Sequence, residues 1–201
     1  DGRIKPDISG DGTNLLSTSN SNATAYGTST GTSMASPNVA GSLLLLQQYY
    51  NQLNSSYLRS STLKGLVCHT ARDGGNIGPD AKFGWGLLDV KKAAQLIQND
   101  NLDESKALIL EDELSQGETF IYEVNILSSQ KLEATLSWID PSGLAKDNIV
   151  NSTIPALVND LDLRITKDTE TFFPWKLQLS DVAAPAIKGD NIVDNVEKVE
   201  V

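Results

Sequence analysis

The chain has 201 residues, enough to bury a sizeable core in one or two domains, and its 39% hydrophobic content excludes disorder by composition. A net charge of −10 argues against a nucleic-acid partner, and the longest apolar run, Leu43-Leu44-Leu45-Leu46, is far too short for a membrane span. A single cysteine, Cys68, excludes an internal disulfide and a multi-cysteine zinc site.

Residues 4–8 read as a short strand, followed by a polar stretch from Ser9 to Gly31 that reads as a long surface loop. From Ser33 the pattern turns apolar and helical to about Asn51, with Pro37 in the first turn, where a missing N–H costs little. Ser55-Ser56 could cap a second helix with Leu58, Leu63, Leu66 and Val67 as its apolar face. Gly74-Gly75 and Gly78-Pro79 mark a loop, and Asp89 is placed to cap a third helix carrying Val90, Ala93, Ala94 and Ile97. After Asn99 the period switches to two, in residues 120–126, 132–138, 161–165 and 175–179, with turn signals between. This suggests an antiparallel sandwich over 106–201, with the boundary near Asp100–Ser105. Charge divides at the same place, a net of +1 over residues 1–100 and −11 over 101–201. The chain opens without an initiator Met and closes on Val196-Glu197-Lys198-Val199-Glu200-Val201, a strand with nothing after it. The expectation is therefore a piece cut from a longer polypeptide.

The stretch Gly31-Thr32-Ser33-Met34-Ala35-Ser36-Pro37, followed by Val39-Ala40-Gly41, sets a glycine-flanked serine at the junction of a loop and a helix. A helix N-terminus aims free N–H groups and a partial positive charge at that spot, where an oxyanion formed by attack of Ser33 on a carbonyl would be stabilised. A plain N-cap is what a generic serine before a helix provides. The full string resembles the nucleophile motif of the subtilisin-like serine peptidases. Lys5-Pro6-Asp7-Ile8 is similar to the family strand leading toward the active site. Phe83-Gly84-Trp85-Gly86-Leu87-Leu88-Asp89 with Ala93-Ala94 is similar to the segment that closes the catalytic domain. Together they cover residues 1–98, about the last third of such a domain. In the second half, Ser137-Trp138-Ile139-Asp140-Pro141, Leu157-Val158-Asn159-Asp160-Leu161-Asp162-Leu163 and Asp194-Asn195-Val196-Glu197 resemble the β-barrel domain that follows it in a secreted bacterial subset.

The resemblance implies an α/β fold, the C-terminal part of a parallel-sheet domain, followed by an all-β antiparallel sandwich or jelly-roll-like barrel. It implies Ser33 as nucleophile with its own N–H in the oxyanion hole, Thr32 as a buttress of that hole, and Met34 on the leaving-group side. Gly31 would let the backbone approach a peptide or protein substrate closely. Asn38 stands where many members carry a His outside the triad, which leaves the assignment intact. Members order their triad Asp, His, Ser, yet none of the 32 residues before Ser33 is a histidine. The expected partner is therefore a missing N-terminal catalytic segment supplying Asp and His, and this chain alone is expected to be inactive. The one histidine, His69, lies after the nucleophile on a predicted helix face that looks structural, and Cys68 beside it reads as a small buried hydrophobe. Asp7 could be mistaken for the triad aspartate, but its Lys-Pro-Asp context points to a structural role.

The chemistry needs no cofactor. Asp160 and Asp162, two apart on a predicted strand, project to one side and would suit a structural calcium; the blander reading is a solvated acidic face. Asn151-Ser152-Thr153 fits the glycosylation acceptor pattern. The localisation implied is extracellular and bacterial. The rival function is a non-catalytic sandwich acting as a binding or docking module, for which Trp175 beside Phe172-Phe173 is the candidate aromatic face, and a third reading has the sandwich brace the catalytic domain.

Overall fold

The computed structural model describes residues 2–103, 107–126, 131–145, 149–150 and 152–201. Asn151 of the acceptor pattern and the Ser105 edge of the expected boundary lie outside them. The polar stretch before the first helix is more ordered than a plain loop. It forms a hairpin, β1 (Leu15–Thr18) against β2 (Tyr26–Ser29), paired from Leu15 opposite Ser29 to Thr18 opposite Tyr26. The expected strand at 4–8 does not form; the Asp7 carbonyl accepts from the Trp85 N–H at 3.0 Å, and just beyond the segment Ser9 makes an isolated parallel bridge with Leu87. No parallel sheet stands beside it among the described residues, so its backbone pairs where it can.

Helix α1 (Thr32–Asn54) follows, and Ser55 ends it in the left-handed conformation, with its N–H donated to the Asn51 carbonyl. Ser55 therefore closes one helix instead of opening the next. Helix α2 (Ser60–Thr70) starts after Arg59, later than the Ser55-Ser56 signal. Helix α3 (Val90–Leu102) is capped as expected, Asp89 Oδ1 accepting from the Lys92 N–H at 2.9 Å. Where the three helices meet, Leu46, Leu58, Leu66, Val67, Ala93 and Ile97 form one core.

The second half carries β3 (Glu133–Ser137), β4 (Ile165–Lys167), β5 (Glu170–Phe172), β6 (Trp175–Lys176), β7 (Ile187–Lys188) and β8 (Val196–Glu200). They pair antiparallel as β3 with β8, β4 with β5, and β6 with β7. No closed barrel forms among the described residues, and the sandwich expected for 106–201 is present only as these two-stranded sheets. Residues 120–126 stay irregular despite their alternation. Phe120, Ile121 and Tyr122 are all exposed, so neither parity has found a face to bury. The alternating runs at 161–165 and 175–179 contribute Ile165 and Trp175–Lys176 to strands.

A second core ties the halves together. Ile4, Cys68 and Trp85 pack with Leu177, Ala186 and Val196. Helix α2 lies directly on β3, and a Cβ on Gly65 would come within 2.8 Å of Ser137 Cβ, so only glycine allows the approach.

Candidate active site

Ser33 is the second residue of α1. Its turn is held from below by residues 10–12, because a Cβ on Gly10 would reach Val39 Cγ2 at 2.5 Å and one on Gly12 would reach the Gly31 carbonyl oxygen at 2.6 Å. The Gly31 N–H donates to the Gly12 carbonyl at 2.8 Å. The base of the hairpin fixes the other side, where the Asn14 N–H donates to Thr30 Oγ1 at 2.9 Å. Gly31 itself is nearly fully extended, with φ 157° and ψ 171°.

Met34 and Ala35 N–H groups both return to the Gly31 carbonyl, at 3.0 and 3.2 Å. The N–H groups of Thr32 and Ser33 donate to nothing among the described residues, as the first N–H groups of a helix must unless capped. Thr32 and Ser33 are exposed, Met34 is half-buried, and the Ser33 hydroxyl makes no hydrogen bond among the described residues. Since α1 begins at Thr32, Pro37 is its sixth residue and not in its first turn. Its missing N–H leaves the Ser33 carbonyl without the usual helical donor, which loosens the turn around the serine. The arrangement is an exposed hydroxyl beside two free N–H donors, suited to a nucleophile and its developing oxyanion.

Among the described residues no base accompanies it. His69 lies at the end of α2, its Nδ1 2.9 Å from Thr135 Oγ1 of β3, and its carbonyl accepts from Lys198 Nζ at 3.2 Å. Burial, reinforced by the nearby Lys198 charge, pushes the imidazole down to about 4, so it is neutral and occupied at the seam between the halves. Burial likewise pushes the Cys68 thiol up to about 12, which removes it as a nucleophile. Asp7 is held by Lys5 at 2.7 Å and Lys64 at 3.0 Å. Burial raises its carboxyl, but the two ammonium groups outweigh that and keep it below its ordinary value.

Asp162 is engaged by Arg164 Nη2 at 2.6 Å, and the same nitrogen contacts Asp190. Burial, with Asp162 and Asp190 nearby, pushes the Asp160 carboxyl up. Among the described residues no group of three His, Cys, Asp or Glu is placed to hold a metal ion, and an arginine already balances this one.

The spacing of Gly10 and Gly12 was the available signal for the seat under the serine, hidden within a stretch that reads as loop.

The subtilase family model matches residues 1–86, which include this whole turn. Residues 1–86 are therefore similar to the subtilase family. At family level that is serine-peptidase sequence. The Neisserial autotransporter lipoprotein NalP of Neisseria meningitidis is 46% identical over 63 residues, 31% of this chain and 5% of that protein. A PII-type proteinase of Lactococcus lactis is 37% identical over 112 residues, covering 47% of this chain and 6% of its own length. The similarity to the minor extracellular protease Vpr of Bacillus subtilis runs into the second half of the chain, at 28% identity over 161 residues, 76% of this chain and 20% of Vpr. The chain thus spans a fifth or less of these curated relatives. Among the described residues, no helix is long and apolar enough to cross a membrane.

Proposed function

We propose that the chain is the C-terminal part of a secreted bacterial subtilisin-like serine endopeptidase, with Ser33 as its nucleophile. The observation that carries this is the free Ser33 hydroxyl beside the undonated Thr32 and Ser33 N–H groups, within family sequence. Ser33 attacks a peptide carbonyl, the Ser33 N–H and the turn supported by Thr32 and Gly31 receive the oxyanion, and water releases the acyl-enzyme. Met34 flanks the serine on the leaving-group side. The base and its orienting carboxylate come from a segment outside these residues, since His69 is committed to Thr135.

The surface of α1 supports the same reading. Between Asp11 and Arg59 the chain carries no charge, yet Leu44 and Leu45 are 71% and 63% exposed. An uncharged helix with leucines in water is suited to being covered by an apolar sheet of the same domain. Secretion is supported by the words autotransporter and extracellular in the names of its relatives. The second half serves as a brace, joined through a common core. A docking role finds less support: Lys188 Nζ sits 3.5 Å over the Trp175 ring and Arg164 lies 4.8 Å over Phe173, so neither ring is a bare platform.

Ser33→Ala in the complete enzyme should remove labelling by a serine-directed phosphonate and lower kcat by about a million-fold, the scale of removing a subtilisin nucleophile. Undiminished peptidase activity in that variant would overturn the assignment. Residues 1–201 alone should hydrolyse no peptide and resist the phosphonate.

A further inference from the structure

The segment from Ile4 to Gly12 joins the core shared with the second half to the turn that carries Ser33. At one end Ile4 is buried in the core shared with the second half, and its N–H donates to Asp194 Oδ1 at 2.9 Å. Asp194 is itself immobilised, since Asn191 Nδ2 donates to Asp194 Oδ2 at 3.0 Å and Asn191 Oδ1 accepts from the Asp194 N–H at 3.2 Å. Both side chains are buried, at 5% and 1% exposure. Along the way Lys64 Nζ grips Asp7 at 3.0 Å and Asn195 Oδ1 at 3.1 Å, so a second tie runs to the residue next to Asp194. Ser9 is bonded on both sides, its N–H to the Gly86 carbonyl and its carbonyl to the Leu88 N–H, both at 2.9 Å. At the far end Gly10 and Gly12 press on α1 with no room for a Cβ, and Gly12 accepts from Gly31. The segment is pinned at intervals of two or three residues, so a displacement at Ile4 has little slack to absorb it before the serine turn.

We propose that Asp194 is a positioning residue for Ser33: a carboxylate of the β half that sets, through residues 4–12, where the nucleophile turn of α1 lies. The proposal rests on the reading of Ser33 as nucleophile. It makes the β half part of the catalytic geometry and not only a support for stability. Reacting atoms tolerate little misplacement, since about 1 Å can cost about a hundredfold in rate.

The test uses the complete enzyme, with active-site titration by a serine-directed phosphonate so that each rate is expressed per titrated site. Asp194→Ala should lower kcat per site about tenfold with KM within about twofold of the parent. Asp194→Asn, which keeps an acceptor for the Ile4 N–H, should fall between the two. Lys64→Met, which removes the tie between Asp7 and Asn195 and leaves Lys5 on Asp7, should lower kcat per site about threefold and is the informative variant if Asp194→Ala does not fold. A purely structural role would reduce the fraction of titrated sites and leave kcat per site at the parental value in all three, and that result overturns the proposal. Labelling that survives Ser33→Ala would instead overturn the nucleophile reading, and the proposal with it.

Discussion

Helices α1 and α2 come from the same half of the chain and end in opposite states. Helix α1 has 23 residues and buries one side chain, Leu46. Helix α2 has 11 and buries Gly65, Leu66, Val67, Cys68 and Thr70. The difference does not come from hydrophobicity, since α1 carries four consecutive leucines. It comes from what each helix meets. Helix α2 is enclosed by α3 on one side and β3 on the other, so nearly its whole circumference is useful. Helix α1 meets α3 over one stripe, and Leu44 and Leu45 face water. An apolar pattern states what a helix would bury, and the neighbouring elements determine what it does bury.

The comparison breaks first at Leu66. Leu66→Ala empties a filled position between α1, α2 and α3 and should cost about 3 kcal/mol in chemical denaturation. A cost near zero would mean that α2 is not enclosed as described. Gly12→Ala should come next, at about 2 kcal/mol, because its Cβ has to displace the Gly31 carbonyl and Ala35. That cost should fall on the first turns of α1, which rest on residues 10–12, and be visible as faster amide exchange there.

The two faces of the β3–β8 pair give two opposed pH effects of intermediate size, Glu197 on the face away from α2 and His69 on the face beneath it. Glu197 on β8 is fully buried, with Oε2 accepting from the Leu163 N–H at 2.6 Å and Oε1 without a hydrogen-bond partner among the described residues. Burial pushes its carboxyl up to about 8 against an ordinary 4.5. The unfolded chain therefore releases this proton first, and stability falls as the pH rises from about 4.5 to about 8. Glu197→Gln should remove that fall, raising Tm at pH 8 while leaving it unchanged near pH 4.5. His69 acts in the other direction. Its folded value near 4 lies below the ordinary 6.5, so its contribution is complete above pH 6.5 and is lost as the pH falls toward 4. Thermal melts of His69→Asn across that window should lose less stability on acidification than the parent.

The smallest effect sharpens the contrast. Leu45→Ala in residues 1–201 should change stability by less than about 0.5 kcal/mol, the size of an ordinary surface substitution. In the complete enzyme the same change should approach the cost at Leu66 if a sheet covers α1. Equal, negligible costs in both would remove that support for the proposed longer polypeptide.

The helices and the serine motif were legible from sequence because their signals are local. The Asp89 cap, the 3.6-residue apolar period and the Gly-Thr-Ser-Met-Ala-Ser-Pro string each lie within a few residues of the feature they specify. The resemblance of residues 1–98 agrees with the family match over 1–86. Boundaries were less legible: Ser55, a residue type favoured before helices, closes α1 through the left-handed conformation, and the hairpin at Leu15–Ser29 carries no strong apolar alternation.

What only the tertiary structure decided is where each apolar or charged group found its partner. Residues 120–126 alternate as a strand should and remain irregular, because a ladder requires a second chain segment at its edge. His69 is a neutral seam residue through Thr135, which stands 66 positions away, and Asp194 reaches back 190 positions to Ile4. A sequence specifies each residue's hydrogen-bonding capacity and apolar area; satisfying them across such separations depends on how the elements pack, and that packing places Ser33 over Gly12 and the β half against α2.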